Sequence, residues 1–119
     1  MEDIKHIFEP TPLQCGQAVL AMLTGKSVDE IVSDCRNDKE TTLKQMISVL
    51  SDNGITVGCQ RTPFIDKIEL PNVALLSLET PKCWHWSLYY NGLFYDPEYG
   101  LTEEIPPSNR RYYWELNNK

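Results

Sequence analysis

A cysteine, a histidine and an aspartate in this sequence have the types and spacing that nucleophilic catalysis requires. Cys15 lies in the stretch PTPLQCGQAVLAMLTG, residues 10–25, directly before Gly16 and a run of apolar residues typical of a helix. A cysteine at a helix N-terminus lies beside unpaired backbone amides, whose partial positive charge favours the nucleophilic thiolate. Gly16 is expected to leave the backbone open for close approach of a substrate. The position of Cys15 therefore predicts a reactive thiol.

The pair Asn91-Gly92 predicts a two-residue β-hairpin, because both residue types readily adopt the positive φ angles of a type I′ turn. Counting back from this turn places Ser87 opposite Asp96, and His85 shares their face of the sheet because it lies two residues before Ser87. The Cβ atoms of such diagonal neighbours are about 7–8 Å apart, so a carboxylate can reach the imidazole. The hairpin therefore predicts that Asp96 orients His85, as a nucleophilic site requires.

The other cysteines, Cys35, Cys59 and Cys83, lack such a setting and are expected to be buried apolar side chains. No two of the four cysteines form a C-x-x-C pair, and the chain begins without a secretory signal, so neither a zinc site nor a disulfide framework is expected. Cys83 and His85 could offer two metal ligands near Cys15, but the usual spacings and a fourth ligand are missing. We expect no metal and no cofactor.

Apolar periodicity and helix-capping residues predict helices in the first half of the chain and strands in the second. Ser27 with Glu30, and Thr42 with Gln45, have the spacing of capping boxes, which mark helix starts. The predicted helices cover residues 18–23, 28–35 and 43–52, and the predicted strands cover 55–59, 73–78, 84–90, 93–96 and 111–116. This order predicts a single α+β domain over residues 1–119, with N-terminal helices packed on a C-terminal antiparallel sheet.

Composition excludes several classes of partner. The chain has 119 residues and a net charge of -6, which disfavours nucleic acids and anionic membranes because both require clustered Lys and Arg. No apolar run approaches the roughly 18 residues that span a bilayer. The acidic, polar first residues are unlike a signal peptide, so the cytoplasm is the expected compartment, with signal-independent secretion left open. His6 is expected to be exposed and without a role.

Two stretches of the sequence together resemble the papain-like cysteine peptidases of the C39-like group, which includes the leader-processing domains of bacteriocin exporters. They are QCGQAVLAMLTGKS, which begins at Gln14, and HWSLYYNGLFYDP, which begins at His85. The resemblance implies a papain-like fold with Cys15 as nucleophile, His85 as general base and acid, and Asp96 as the orienting carboxylate. Further positions that match the family pattern are Gly16, Trp86 and Pro97.

One position departs from that family. A glutamine whose amide donates to the oxyanion usually lies six residues before the cysteine, and this sequence has Glu9 there. A carboxylate would oppose the developing charge, and one lost donor costs about 10²–10³ in rate. Glu9 could donate as a protonated acid, or Gln14 or the Cys15 backbone amide could replace it. Otherwise the chain is an impaired or repurposed member.

The sequence therefore predicts a thiol hydrolase that cleaves an amide bond in a peptide or protein. One alternative is a glutamine deamidase with the same chemistry, and another is a binding or regulatory module without turnover. Most aromatic residues of the hairpin are expected in the sheet core, with Trp84 and Trp86 as candidate walls of a substrate cleft. A chain of this length has little room for a specificity subdomain, so a partner chain could complete the cleft.

Overall fold

The computed structural model describes residues 4–118, which form three helices against a seven-stranded antiparallel sheet. The α+β class expected from the sequence is confirmed. The helices are α1 (Cys15–Thr24), α2 (Val28–Cys35) and α3 (Leu43–Asp52), and a 3₁₀ turn covers Lys67–Glu69. The strands are β1 (Ile55–Val57), β2 (Thr62–Pro63), β3 (Val73–Glu79), β4 (Trp84–Tyr90), β5 (Leu93–Asp96), β6 (Gly100–Thr102) and β7 (Arg111–Asn118).

The helix ends follow the capping residues of the sequence. Ser27 accepts from the Glu30 amide, and the Glu30 carboxylate accepts from the Ser27 amide, each at 3.1 Å. Thr42 and Gln45 form the same reciprocal pair at the start of α3. Gly25 ends α1 in the left-handed conformation, with φ 78°. Among residues 4–118, none of the helices combines the length and apolar character needed to cross a lipid bilayer.

The sheet has the strand order β1-β7-β3-β4-β5-β6, and β2 pairs with β7. The predicted hairpin is confirmed, because Asn91 and Gly92 have φ angles of 45° and 93° and Tyr90 pairs with Leu93. The first predicted strand was too long, since β1 ends at Val57. Two short strands, β2 and β6, were not predicted, because each is defined mainly by its hydrogen bonds to a neighbouring strand.

Each face of the sheet carries its own apolar cluster. The helices pack on one face, where α1, α2 and α3 bury side chains against Leu75, Leu88 and Trp114. The opposite face buries a smaller cluster of Phe64, Ala74, Leu76, Leu78, Tyr89 and Phe94. Because α1 packs directly against β4, the N-terminus of the helix lies beside the first residues of that strand. This packing joins the two halves of the candidate site.

Candidate active site

Cys15 is the first residue of α1, and its side chain is 6% exposed. The backbone N–H of Trp86 in β4 donates to the Cys15 Sγ atom at 3.4 Å. Gln14, which precedes the helix, makes no side-chain capping hydrogen bond, so the first amides of α1 are not capped by a side chain. The thiol therefore lies where helix amides can interact with a substrate oxygen.

His85 lies on β4 with its side chain buried, and its two ring nitrogens have different neighbours. Nε2 lies 2.9 Å from the Asp96 Oδ1 atom, so this nitrogen carries a proton and donates it to the carboxylate. Cys15 lies beside the same ring and favours its protonated form, which leaves Nδ1 as the nitrogen on the thiol side. Burial lowers the pKa of the imidazole, but the hydrogen bonds to Asp96 and Cys15 outweigh it and raise the pKa to about 10.

Asp96 ends β5 and is fully buried, with both carboxylate oxygens hydrogen-bonded. Oδ1 accepts from His85 and from the amides of Glu98 and Tyr99 at 2.8 and 2.9 Å, while Oδ2 accepts from the Ser87 hydroxyl at 2.7 Å. Burial raises the pKa of Asp96, yet the bond to His85 and the other donors hold it below its usual value. The carboxylate is therefore stable as a charge and fixed in orientation.

Glu9 lies on the thiol side of the imidazole, where its Oε1 atom is 3.9 Å from His85 Nδ1. Its side chain is 11% exposed, and Oε1 is buried without a hydrogen-bond partner among residues 4–118. Burial raises the pKa of the Glu9 carboxyl, His85 acts in the opposite direction, and the charges of Glu98 and Asp96 raise it further. The position that departs from the family pattern thus lies at the candidate site.

The segment before α1 is held along the end of β5. His6 Nε2 lies 2.7 Å from the Asp96 carbonyl oxygen, and the Glu9 amide donates to the Pro97 carbonyl at 2.9 Å. The ring of Phe8 lies against Gly100. The expectation that His6 is exposed and idle is wrong, because its ring is partly buried and anchors this segment.

Gly16 is required for packing rather than for substrate approach. A Cβ atom at this position would overlap the Thr41 Oγ1 atom and would contact the Trp86 ring at 3.1 Å. The Trp86 indole N–H donates to the Thr41 carbonyl at 3.0 Å, which holds the loop before α3 against the start of α1. The expected opening beside Gly16 is therefore filled by the protein itself.

The Gln14 side chain has a partner outside the site. Its amide nitrogen donates to the carbonyl of Asp38 at 3.0 Å, in the loop that follows α2. The neighbouring Gln17 donates in the same way to the carbonyls of Asn37 and Lys39. In this structure Gln14 thus holds a loop, whereas Glu9 lies beside the imidazole.

A cavity of about 240 Å³ opens in front of the thiol and the imidazole. Its lining consists of Cys15, Glu40, Thr41, Ser77, Trp84, His85 and Trp86. A second cavity of about 410 Å³ shares Ser77 and Trp84 with it and is lined further by Tyr112 and Trp114. Trp84 and Trp86 thus lie on the walls of the space beside Cys15.

The remaining cysteines differ from their expected burial. All four thiols are free, and Cys59 and Cys83 are exposed while Cys35 is partly buried. The expectation of buried apolar side chains was therefore wrong for Cys59 and Cys83, which lie outside regular strands and helices. Within residues 4–118, no group of three or more His, Cys, Asp or Glu side chains could hold a metal ion.

Two supporting residues were not recognised as such in the sequence. Ser87, which donates to the Asp96 carboxylate, follows from the same strand pairing that brings His85 and Asp96 together. The hairpin register therefore already predicted that Ser87 lies beside Asp96. Thr41 lies in a loop and packs on Gly16 through long-range contacts, for which no local pattern in the sequence exists.

No family model matches the chain, and no curated protein matches it significantly.

Proposed function

We propose that this protein is a papain-like thiol hydrolase that cleaves an amide bond in a peptide or protein. The observation that carries the proposal is the arrangement of Cys15, His85 and Asp96. A thiol at a helix N-terminus lies beside an imidazole, whose second nitrogen is held by a buried carboxylate with both oxygens hydrogen-bonded. A nucleophile, a base and an orienting group in this order are the parts of covalent catalysis.

The proposed reaction uses the charges of this arrangement. The Cys15 thiolate attacks the substrate carbonyl carbon, and the carbonyl electron pair moves to the oxygen beside the first amides of α1. When the C–N bond breaks, the His85 imidazolium gives its proton to the leaving amine. His85 then takes a proton from water, whose oxygen attacks the acyl carbon, and the thiolate leaves. Asp96 keeps the ring oriented throughout.

The C39-like resemblance supports the same function. The helices precede an antiparallel sheet, α1 begins with the cysteine, and the histidine and aspartate lie on adjacent strands of one hairpin. These features agree with the order of motifs in that family. The cavity beside Cys15, with aromatic walls from Trp84 and Trp86, is the space in which a peptide segment would bind.

Glu9 favours a second candidate, a papain-like binding or regulatory module without turnover. An ionised carboxylate 3.9 Å from His85 Nδ1 would repel both the Cys15 thiolate and a developing oxyanion. It would also compete with the thiol for the imidazolium proton. The module and the hydrolase therefore differ in whether acyl transfer to Cys15 occurs, which is directly measurable.

The test is incubation with a peptide library in water enriched in ¹⁸O, followed by mass spectrometry. A peptidase produces new C-terminal carboxyl groups that carry ¹⁸O, whereas a deamidase produces labelled glutamate and ammonia from intact peptides. Cys15→Ala and His85→Ala should remove either product, and Cys35→Ala, which lies away from the site in α2, should retain it. No labelled product at any pH from the wild-type protein would favour the module.

A further inference from the structure

We propose that Glu9 serves as an oxyanion donor in its neutral carboxylic acid form, so that the site works faster in mildly acidic solution. The proposal rests on the proposed hydrolase function and adds a pH dependence to it. In the attack step, the new S–C bond forms and the carbonyl electron pair moves to oxygen. The Glu9 O–H donates a hydrogen bond to that oxygen without transferring its proton, and it is released when the carbonyl re-forms.

The unpartnered carboxyl oxygen is the first observation. Oε1 of Glu9 is buried and has no hydrogen-bond partner among residues 4–118. A buried polar atom without a partner is costly, so it commonly marks a place where a ligand or a proton completes the structure. The same atom lies 3.9 Å from His85 Nδ1, on the thiol side of the ring, where a tetrahedral adduct of Cys15 would form.

The backbone around Glu9 is the second observation. The Glu9 amide donates to the Pro97 carbonyl at 2.9 Å, directly after the carboxylate that orients the imidazole. His6 lies 2.7 Å from the Asp96 carbonyl oxygen and anchors the same segment. The segment Asp96-Pro97 therefore positions both Glu9 and His85. A donor that is positioned in advance needs little reorganisation during the reaction.

The charges around Glu9 favour its neutral form. Burial raises the pKa of the carboxyl, and the negative charges of Glu98 and Asp96 raise it further, against the effects of His85 and Lys82. His85 belongs to β4 and Asp96 to the end of β5. Glu98 lies in the turn after β5, and Lys82 lies in the loop before β4. Cys15 faces the same space from α1, and its thiolate or an oxyanion formed on it would favour the neutral acid further.

Glutamate at this position differs from glutamine in one physical respect. A glutamine amide donates at every pH, whereas a glutamate side chain donates only below its pKa and repels the oxyanion above it. As the pH falls through the pKa of Glu9, the fraction of sites with a donor therefore rises. Replacement of Glu9 by Gln should therefore remove a pH dependence that the wild-type protein has.

The experiment measures binding of N-acetylglycinal labelled with ¹³C at the aldehyde carbon, because it requires neither turnover nor a known substrate. The Cys15 sulfur adds to the aldehyde carbon and the proton moves to its oxygen, which gives a hemithioacetal with a distinct ¹³C resonance. The proteins are wild type, Glu9→Gln, Glu9→Ala and the matched control Asp34→Asn, which converts a carboxylate to its amide in α2, where Asp34 pairs with Lys26. Far-UV circular dichroism and thermal unfolding check the fold of each.

For the wild-type protein and Asp34→Asn, the ratio of their affinity to that of Glu9→Gln should rise by about tenfold as the pH falls from about 8 to about 5.5. Glu9→Gln should bind tightly at both ends of this range, and Glu9→Ala weakly at both. Should Glu9→Ala fail to fold, the comparison between wild type and the isosteric Glu9→Gln decides alone.

Two results would overturn the proposal. Coincident pH profiles for wild type and Glu9→Gln, or equal affinity of Glu9→Ala and Glu9→Gln at all pH values, would mean that Glu9 does not donate to the adduct oxygen. Such a result leaves the hydrolase function standing, because the adduct still forms. Absence of the adduct from all four proteins would instead remove the nucleophile, and with it both proposals.

Discussion

The two sides of the His85 imidazole are built differently. On the Nε2 side, Asp96 is fully buried and both of its oxygens are bonded, to His85, to Ser87 and to two backbone amides. On the Nδ1 side, Cys15 Sγ accepts one backbone hydrogen bond, from Trp86. The Oε1 atom of Glu9 has no hydrogen-bond partner among residues 4–118. The first side orients the ring, and Cys15 on the second side lines the cavity.

This difference assigns separate physical tasks to the two sides. A carboxylate with both oxygens hydrogen-bonded holds one geometry and cannot rotate without losing several hydrogen bonds. A side with unfilled donors and acceptors can bond to a substrate, because its groups are not already satisfied by the protein. Buried polar atoms without partners are uncommon, so the unpartnered Oε1 atom of Glu9 beside the imidazole is consistent with a site for a ligand.

The largest expected effect comes from removing Asp96, the carboxylate on the Nε2 side. Asp96→Ala removes the acceptor of His85, Ser87 and two amides, so we expect hydrolysis to fall by about 10⁴-fold. The fold should also lose about 3–5 kcal/mol in the free energy of unfolding, because a buried charge pair is broken. Urea unfolding and peptide hydrolysis measure the two losses.

The matched control for Asp96→Ala is Asp34→Ala, which breaks an exposed ion pair with Lys26. That pair should contribute little to stability, because solvent screens exposed ion pairs, and nothing to hydrolysis. Equal stability losses for the two variants would contradict the special role of the buried carboxylate.

The second prediction concerns stability above neutral pH. The folded pKa of His85, about 10, exceeds the value of about 6.5 in an unfolded chain, so the imidazolium stabilises the fold. This stabilisation is complete below about pH 6.5 and is lost as the pH rises toward 10, by at most about 1.4 kcal/mol for each pH unit. Urea midpoints over this range should fall more steeply for wild type than for His85→Gln. Parallel curves would show that His85 does not carry the charge.

The third prediction concerns the four thiols. At about pH 6, iodoacetamide should modify Cys15 at least about tenfold faster than the exposed Cys59 and Cys83, because Cys15 lies at a helix N-terminus beside the His85 imidazole. Peptide mass spectrometry at limiting reagent measures the order. His85→Ala should remove the advantage of Cys15 without changing the rates at Cys59 and Cys83. Faster labelling of the exposed thiols in the wild-type protein would exclude a reactive Cys15.

The smallest expected effect comes from packing behind the thiol. Gly16→Ala places a methyl group against Thr41, and such overpacking should cost about 1–3 kcal/mol of unfolding free energy. Thr41→Ala removes the overlapping hydroxyl, so the double variant should recover part of the loss in a double-mutant cycle. Strictly additive losses would mean that the two side chains do not compete for the same space.

The sequence alone determined the local features of this protein. The two capping boxes and the Asn91-Gly92 turn depend on residues that are two or three positions apart, so their geometry follows from backbone preferences. The turn then sets the strand register, and the register brings His85 to Asp96 without knowledge of the rest of the fold. The apolar run of residues 18–23 predicted α1 in the same local way, although the helix begins three residues earlier, at Cys15.

Only the tertiary structure decided what distant segments place beside that pair. The Glu9 carboxyl meets His85 because the first residues lie along the end of β5, and Thr41 fills the space at Gly16 because Trp86 holds its loop. The short strands β2 and β6 and the exposure of Cys59 also depend on how neighbouring segments pack. Contacts of this kind join residues far apart in the chain, so packing and hydrogen bonding of the whole fold decide them, and no local preference encodes them.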